Sequence, residues 1–248
     1  MTDLSGRCAV ITGSLERTGF GVAQALARCG ALVILHGRKT DDRCRVAQDR
    51  FEAEFGQRPQ VLVGDITDPE VCQGLASQTE GVDILVNNVG VYRPTELAQA
   101  SAEHWRWTIA GNLDSSFYMA QAFMDQLLES GRGRLIQLGY VTCDQVCARA
   151  EFPAYQIAKT GVHILTLSYA QRYAHRGLTA NTVSPGQLAN SIDLETAGTL
   201  PTGRPGEVDE IAAAVVYLAS SEAAYVSGTN VNVAGSWAPA SARYEDGL

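Results

Sequence analysis

Short apolar runs rich in Val, Ile and Leu recur along this chain with stretches of helical spacing between them. That alternation constrains the fold more than any other feature. Strands are expected at Cys8–Thr12, Leu32–His36, Val61–Val63, Asp83–Val86, Arg134–Leu138, Thr179–Val183 and Asn230–Val233. Between them the spacing predicts helices over Arg17–Cys29, Asp41–Phe55, Pro69–Gln78, Ala102–Leu128 (read as one long helix), Tyr155–Arg176 and Glu207–Ser220. Most of the strand segments are continuous apolar runs rather than apolar at every second residue, so both faces must be covered. A parallel sheet of about seven strands with helices on both faces satisfies this pattern. No Pro- or Ser-rich linker, internal repeat or low-complexity tract divides the 248 residues, and a single domain over 1–248 is expected.

Composition excludes several function classes. Apolar residues at 46% and charged residues at 19% support a sizeable core and argue against disorder. A formal net charge of -8 leaves no basic footprint for nucleic acid, although one local basic pocket could still hold a small anion. The opening MTDLSGRCAVITG has neither the basic start nor the apolar stretch of a signal peptide, and no run approaches the length of a membrane-spanning helix. Cys8, Cys29, Cys44, Cys72, Cys143 and Cys147 are scattered, without metal-ligand spacing, and read as reduced thiols. A cytoplasmic protein with no metal, nucleic-acid or membrane partner is expected.

The first strand runs into Thr12-Gly13-Ser14-Leu15-Glu16-Arg17-Thr18-Gly19-Phe20-Gly21, and a helix follows. Glycines there let the backbone turn sharply and approach a pyrophosphate, and the helix start offers free N–H groups. The turn resembles the T-G-x-x-x-G-x-G element of short-chain dehydrogenases/reductases. It departs from that element in that Arg17 stands at the middle glycine, so the next glycine after Gly13 is Gly19, two residues later than usual. A similar T-G-x-x-x-R-x-G form occurs in the pteridine reductase-like branch of that family, where the arginine helps hold the cofactor phosphates. The resemblance covers about Arg7 to Trp237. It implies a doubly wound Rossmann-type α/β fold, with Gly13, Ser14, Arg17 and Gly19 on a nicotinamide dinucleotide.

The second strand ends in His36-Gly37-Arg38-Lys39. NAD-binding folds place a carboxylate here to bond the ribose 2′-OH, whereas this chain has Gly37 followed by two cations. A 2′-phosphate carries about two negative charges and suits a guanidinium. Gly37, Arg38 and Lys39 therefore point to NADP(H). Further likenesses to the family are Asp65-Ile66 at the end of the third strand, near the adenine, and Asn87-Asn88-Val89-Gly90 along the cofactor after the fourth. Ser184-Pro185-Gly186 matches the turn beside the nicotinamide.

Tyr155-Gln156-Ile157-Ala158-Lys159 places a phenol and an amine on one helical face. Carbonyl reduction needs a proton at oxygen as hydride reaches carbon. A tyrosine of pKa about 10 serves better when a nearby ammonium lowers it. By the resemblance, Lys159 also holds the nicotinamide ribose, and Asn112 binds a water that links Lys159 to a proton relay. The family's carbonyl-polarising serine stands thirteen residues before the tyrosine. Counting back gives Thr142, whereas aligning from the fifth strand puts Gly139-Tyr140 in that place. Tyr140 and Thr142 both remain candidates, with an insertion expected in the loop before Phe152.

The resulting expectation is an NADPH-dependent oxidoreductase. It would reduce a ketone, an aldehyde or a related C=N or pterin-type group on a small molecule. A lyase- or dehalogenase-like member of the same fold and a non-catalytic NADPH sensor are the alternatives. The first tends to lose the cofactor turn, and the second has no need of Tyr155, Lys159 and Asn112 together. The stretch from Gln187 to Arg204 is too short for a long lid helix. By analogy with the family, a homotetramer (or homodimer) is expected through the long helices and the last strand.

Overall fold

A computed structural model describes residues 2–148, 150–191 and 200–238. Seven strands form one wholly parallel sheet in the order β3-β2-β1-β4-β5-β6-β7. They are β1 (Cys8–Ile11), β2 (Leu32–Gly37), β3 (Gln60–Val63), β4 (Val82–Asn87), β5 (Arg134–Leu138), β6 (Thr179–Pro185) and β7 (Asn230–Val233). The chain moves outward from β1 to β3, then returns to the other side of β1 with β4. This reversal opens a crevice at the carboxyl ends of the central strands, where doubly wound sheets bind ligands.

The central strands β1, β4, β5 and β6 are buried on both faces, whereas the edge strands β3 and β7 are partly exposed. Ala9 and Ile11 enter a core with Phe20, Leu26, Phe51, Val215 and Leu218. Val10 points the other way, to Leu75, Met119, Phe123, Leu127 and Leu135. Helices α1 (Arg17–Arg28), α2 (Asp42–Phe55) and α7 (Val208–Ala219) supply the first layer. The opposite layer holds α3 (Pro69–Ala76), α5 (Ser115–Glu129) and part of α6 (Pro153–Tyr173). The Rossmann-type fold expected from the sequence is therefore the fold observed.

Two boundaries differ in an informative way. The expected long helix is split into α4 (Ala102–Ile109) and α5 by a π-helical turn over Ala110–Asp114. Asn112 sits in that turn, and its side-chain amide donates to the Thr108 carbonyl at 2.9 Å, one turn back. Such turns insert a residue into the helical ladder and collect at functional sites. Helix α6 begins at Pro153, because proline fits the first helical turn, where no N–H partner is needed. All six cysteines are free. Among the described residues, no helix is long and apolar enough to cross a membrane. The expected absence of a lid helix after Pro185-Gly186 falls in part on residues 192–199, outside the described residues.

Candidate active site

A cleft of about 800 Å³ runs across the carboxyl ends of the strands. It is bordered by Gly13, Arg17, Gly19, Gly37, Arg38, Asp65, Ile66, Asn88, Gly90, Tyr140, Tyr155, Pro185 and Gly186. The candidates drawn from the second, third, fourth and sixth strand ends thus converge on one site, although they are distant in sequence.

The turn after β1 is built by clamps from neighbouring strands. Asn88 donates its side-chain amide to the carbonyls of Thr12 (2.9 Å) and Gly13 (3.2 Å), and its backbone N–H donates to Thr12 Oγ1 at 2.9 Å. A Cβ on Gly19 would lie 2.3 Å from the Gly13 carbonyl oxygen and 2.6 Å from Asn88 Nδ2, so only glycine allows this approach. Arg17 adopts φ +54°, the left-handed conformation the usual glycine would supply. An arginine there costs about 1 kcal/mol or more. Its guanidinium donates to the Asn190 carbonyl, tying the turn to the segment after β6. Glu16 makes no side-chain cap at the start of α1, so the first-turn N–H groups stay directed at the cleft.

Ser14 behaves otherwise than expected. Its side chain is fully buried, donates to the Ile11 carbonyl at 2.8 Å and accepts the His36 N–H at 2.9 Å. The hydroxyl serves the turn rather than the cleft wall. His36 was read only as part of a strand, yet it belts the site together. Its Nδ1 accepts the Gly13 N–H at 3.1 Å, so the ring proton sits on Nε2 and donates to the Gly64 carbonyl at 3.1 Å. Burial lowers its pKa, against the Gly64 hydrogen bond and Asp65, and keeps it neutral in this role.

The end of the cleft at the carboxyl ends of β2 and β3 carries nearly balanced charge. Arg38 binds Asp65 at 2.6 Å, and Arg43, a cleft residue the sequence reading missed, binds Asp41 at 2.7 Å and Glu16 at 3.5 Å. Burial opposes the charge on Asp65, but Thr67 and Arg38 outweigh it and hold the carboxyl below the ordinary range. Lys39 is exposed and does not border the cleft.

At the other end Tyr155 and Tyr140 stand with ring centroids 5.4 Å apart. Lys159 is buried behind them, its Nζ donating to the Leu138 carbonyl at 2.8 Å. A Cβ on Gly90 would begin 2.9 Å from Asn112 Oδ1 and 3.1 Å from Lys159 Nζ, so both polar groups flank that glycine. Asn112 Nδ2 donates to Val91 and Thr108 carbonyls, but its Oδ1 is buried with no protein partner. Such an atom calls for a water or a bound group.

The structure separates the two candidates for the serine place. Tyr140 borders the cleft directly after β5. Thr142 lies one turn on, with φ +72° and a buried side chain, and its hydroxyl accepts a 3.9 Å contact from the Cys147 thiol. It does not border the cleft, because the turn at 140–143 carries it behind Tyr140. The expected effect of Lys159 on Tyr155 is also corrected. Burial, then the phenols of Tyr140 and Tyr92, push Tyr155 above the ordinary tyrosine value. Lys159 Nζ lies 5.8 Å from the Tyr155 ring centre and is itself lowered to about 8 by burial. Tyr155 is therefore protonated and Lys159 mostly ammonium near neutral pH, the latter losing its charge as pH rises through about 8.

The sequence matches, over residues 16–236, the family model described as enoyl-(acyl carrier protein) reductase. It is 33% identical to galactitol 2-dehydrogenase (L-tagatose-forming) of Cereibacter sphaeroides, covering 94% of this chain and 96% of that one. It is 34% identical to 3-oxoacyl-(acyl-carrier-protein) reductase of Escherichia coli, covering 94% and 98%. The solved gluconate 5-dehydrogenase of Burkholderia cenocepacia, in complex with NADP and tartrate, superposes with a TM-score of 0.86 at 29% identity. That match covers 94% of this chain and 95% of the other.

Proposed function

Because the chain belongs to the short-chain dehydrogenase/reductase family, we propose that its cleft binds NADPH and that Tyr155 protonates a carbonyl oxygen reduced there. The residues fit that cofactor. The glycines at 13, 19 and 90 leave space where any Cβ would collide, and guanidinium groups flank the adenosine end. Arg38, with Arg43 beside it, would take the 2′-phosphate. Arg17 and the first-turn amides of α1 would face the pyrophosphate, and Lys159 would hold the nicotinamide ribose. When bound, the nicotinamide supplies a hydride to the carbonyl carbon.

The chain's own residues do the rest. Tyr140 donates a hydrogen bond to the carbonyl oxygen and draws electron density from the carbon. Tyr155, held protonated by its surroundings, delivers its proton to the same oxygen as charge develops there. Lys159, 5.8 Å from the Tyr155 ring centre, would return a proton to the phenolate left behind, and a water on Asn112 Oδ1 would carry the next proton towards Lys159. The observation that carries this reading is the buried, unpartnered Asn112 Oδ1 beside the Lys159 ammonium, one turn of α6 from Tyr155.

The cofactor assignment is tested with Arg38→Asp. A charge-assisted bond to phosphate is lost and a repulsion introduced, so NADPH affinity falls about 100-fold while NADH affinity changes less than about threefold. Calorimetric titration of both cofactors checks this, and equal losses for the two overturn it.

Phe117 on α5 and Ile157, Ile164 and Leu167 on α6 are 38–56% exposed on this chain. We place the subunit contact of a homotetramer on this face. Sedimentation near four times the 26.5 kDa chain mass supports it, and a 26.5 kDa species at micromolar concentration contradicts it.

A further inference from the structure

The two halves of the sheet give the cleft two chemically different walls. Every charged side chain that borders it (Glu16, Arg17, Arg38, Arg43 and Asp65) follows β1, β2 or β3. Among the described residues, none of the bordering side chains contributed from β4 to β7 is charged. Rings gather there instead. Tyr92 lies 4.9 Å from Tyr155 and 6.1 Å from Phe152 between ring centroids, and Tyr140 lies 5.9 Å from Phe152 and 6.4 Å from Trp237, with Phe152 backing these rings without bordering the cleft itself. All these pairs meet edge to face, with interplanar angles of 68–87°. Trp107 borders the same cleft from α4, and the Arg93 guanidinium stacks on its ring at 4.9 Å without bordering the cleft.

We infer that the reaction end of this cleft is an aromatic cage for an uncharged carbonyl compound with a planar aryl group next to the carbonyl. This inference rests on the proposed reductase function and names its substrate class. An aryl group laid in the cleft against the bordering rings of Tyr92, Trp107, Tyr140, Tyr155 and Trp237 gains edge and face contacts as well as apolar burial. A sugar acid in the same place would bury a carboxylate and several hydroxyls against apolar ring faces, with no cation among the described side chains that border this wall. The cage therefore selects against the class of molecule that gluconate represents. It also explains a tyrosine in the serine place, because Tyr140 brings both a donor hydroxyl and one wall of the cage.

The test begins with binding, using benzamide, whose carbonyl is not reduced, and gluconate as its charged counterpart. In the presence of NADPH, tryptophan fluorescence and calorimetry are expected to show benzamide bound at least 10-fold more tightly than gluconate. Trp237→Ala and Tyr92→Ala are each expected to weaken benzamide about 10-fold with NADPH affinity unchanged, which also reports on folding. Trp237→Leu, which keeps apolar volume without a ring, is expected to lose most of the same preference. Turnover follows, with acetophenone expected to exceed 5-ketogluconate at least 100-fold in kcat/KM. Gluconate bound as tightly as benzamide, or benzamide affinity indifferent to all three substitutions, overturns the cage. If neither these ketones nor any other ketone or aldehyde offered is reduced while benzamide binds as described, the reductase reading fails and the cage stands. If 5-ketogluconate is reduced faster, the reductase reading stands and the cage falls.

Discussion

Tyr155→Phe lowers carbonyl turnover about 1,000-fold and leaves NADPH affinity within about threefold of the wild type. The ring keeps its contacts with Tyr92, Tyr140 and Phe152, so the cleft wall is preserved. Only the proton source is removed. Neighbouring Tyr140 cannot replace it fully, because its hydroxyl is assigned to polarise the oxygen and the Lys159 ammonium stands behind Tyr155. Stopped-flow mixing of preformed NADPH complexes with a saturating ketone reads the chemical step itself. A variant as fast as the wild type removes Tyr155 from the chemistry, and a variant that no longer binds NADPH shows the ring to be structural instead.

Gly19→Val weakens NADPH at least about 100-fold and lowers the melting temperature by several degrees. Its Cβ would stand 2.3 Å from the Gly13 carbonyl oxygen, which is backbone, and 2.6 Å from the Asn88 amide that clamps the turn. Either the turn opens or Asn88 leaves, and overpacking of this kind costs about 1–3 kcal/mol. The amides that would face the pyrophosphate are displaced in both cases. Gly74→Ala on α3 is the control, since a Cβ there meets nothing within 4 Å and alanine favours the helix. Normal NADPH affinity in Gly19→Val, measured by fluorescence titration, would contradict the placement of the phosphates.

Much of this architecture was legible in the sequence because it rests on short-range pattern. Apolar runs covered on both faces gave the seven strands, and the glycine turn and the Tyr155/Lys159 spacing are local. What escaped the sequence depends on contacts between distant segments. No residue type marks the π-helical turn at Asn112, since it forms where the side chain takes a carbonyl of its own helix and one from Val91. His36 reads as an ordinary strand residue until its two nitrogens are seen between Gly13 and Gly64. Tyr92, Tyr140 and Trp237 come from three separate loops, so their cage has no sequence period. Tyr140 and Thr142 could not be separated by counting, because the left-handed backbone at Thr142 is set by tertiary packing and not by local preference.

The most direct test follows one labelled atom. Wild-type protein is mixed with NADPH deuterated at the reactive C4 position and an excess of acetophenone, and the product alcohol is examined by mass spectrometry and NMR. Deuterium on the carbinol carbon, with the hydroxyl proton drawn from solvent, is the predicted result. Bound NADPH that yields no labelled alcohol from acetophenone or from any other ketone or aldehyde offered would contradict the reading of this cleft as a carbonyl-reducing site.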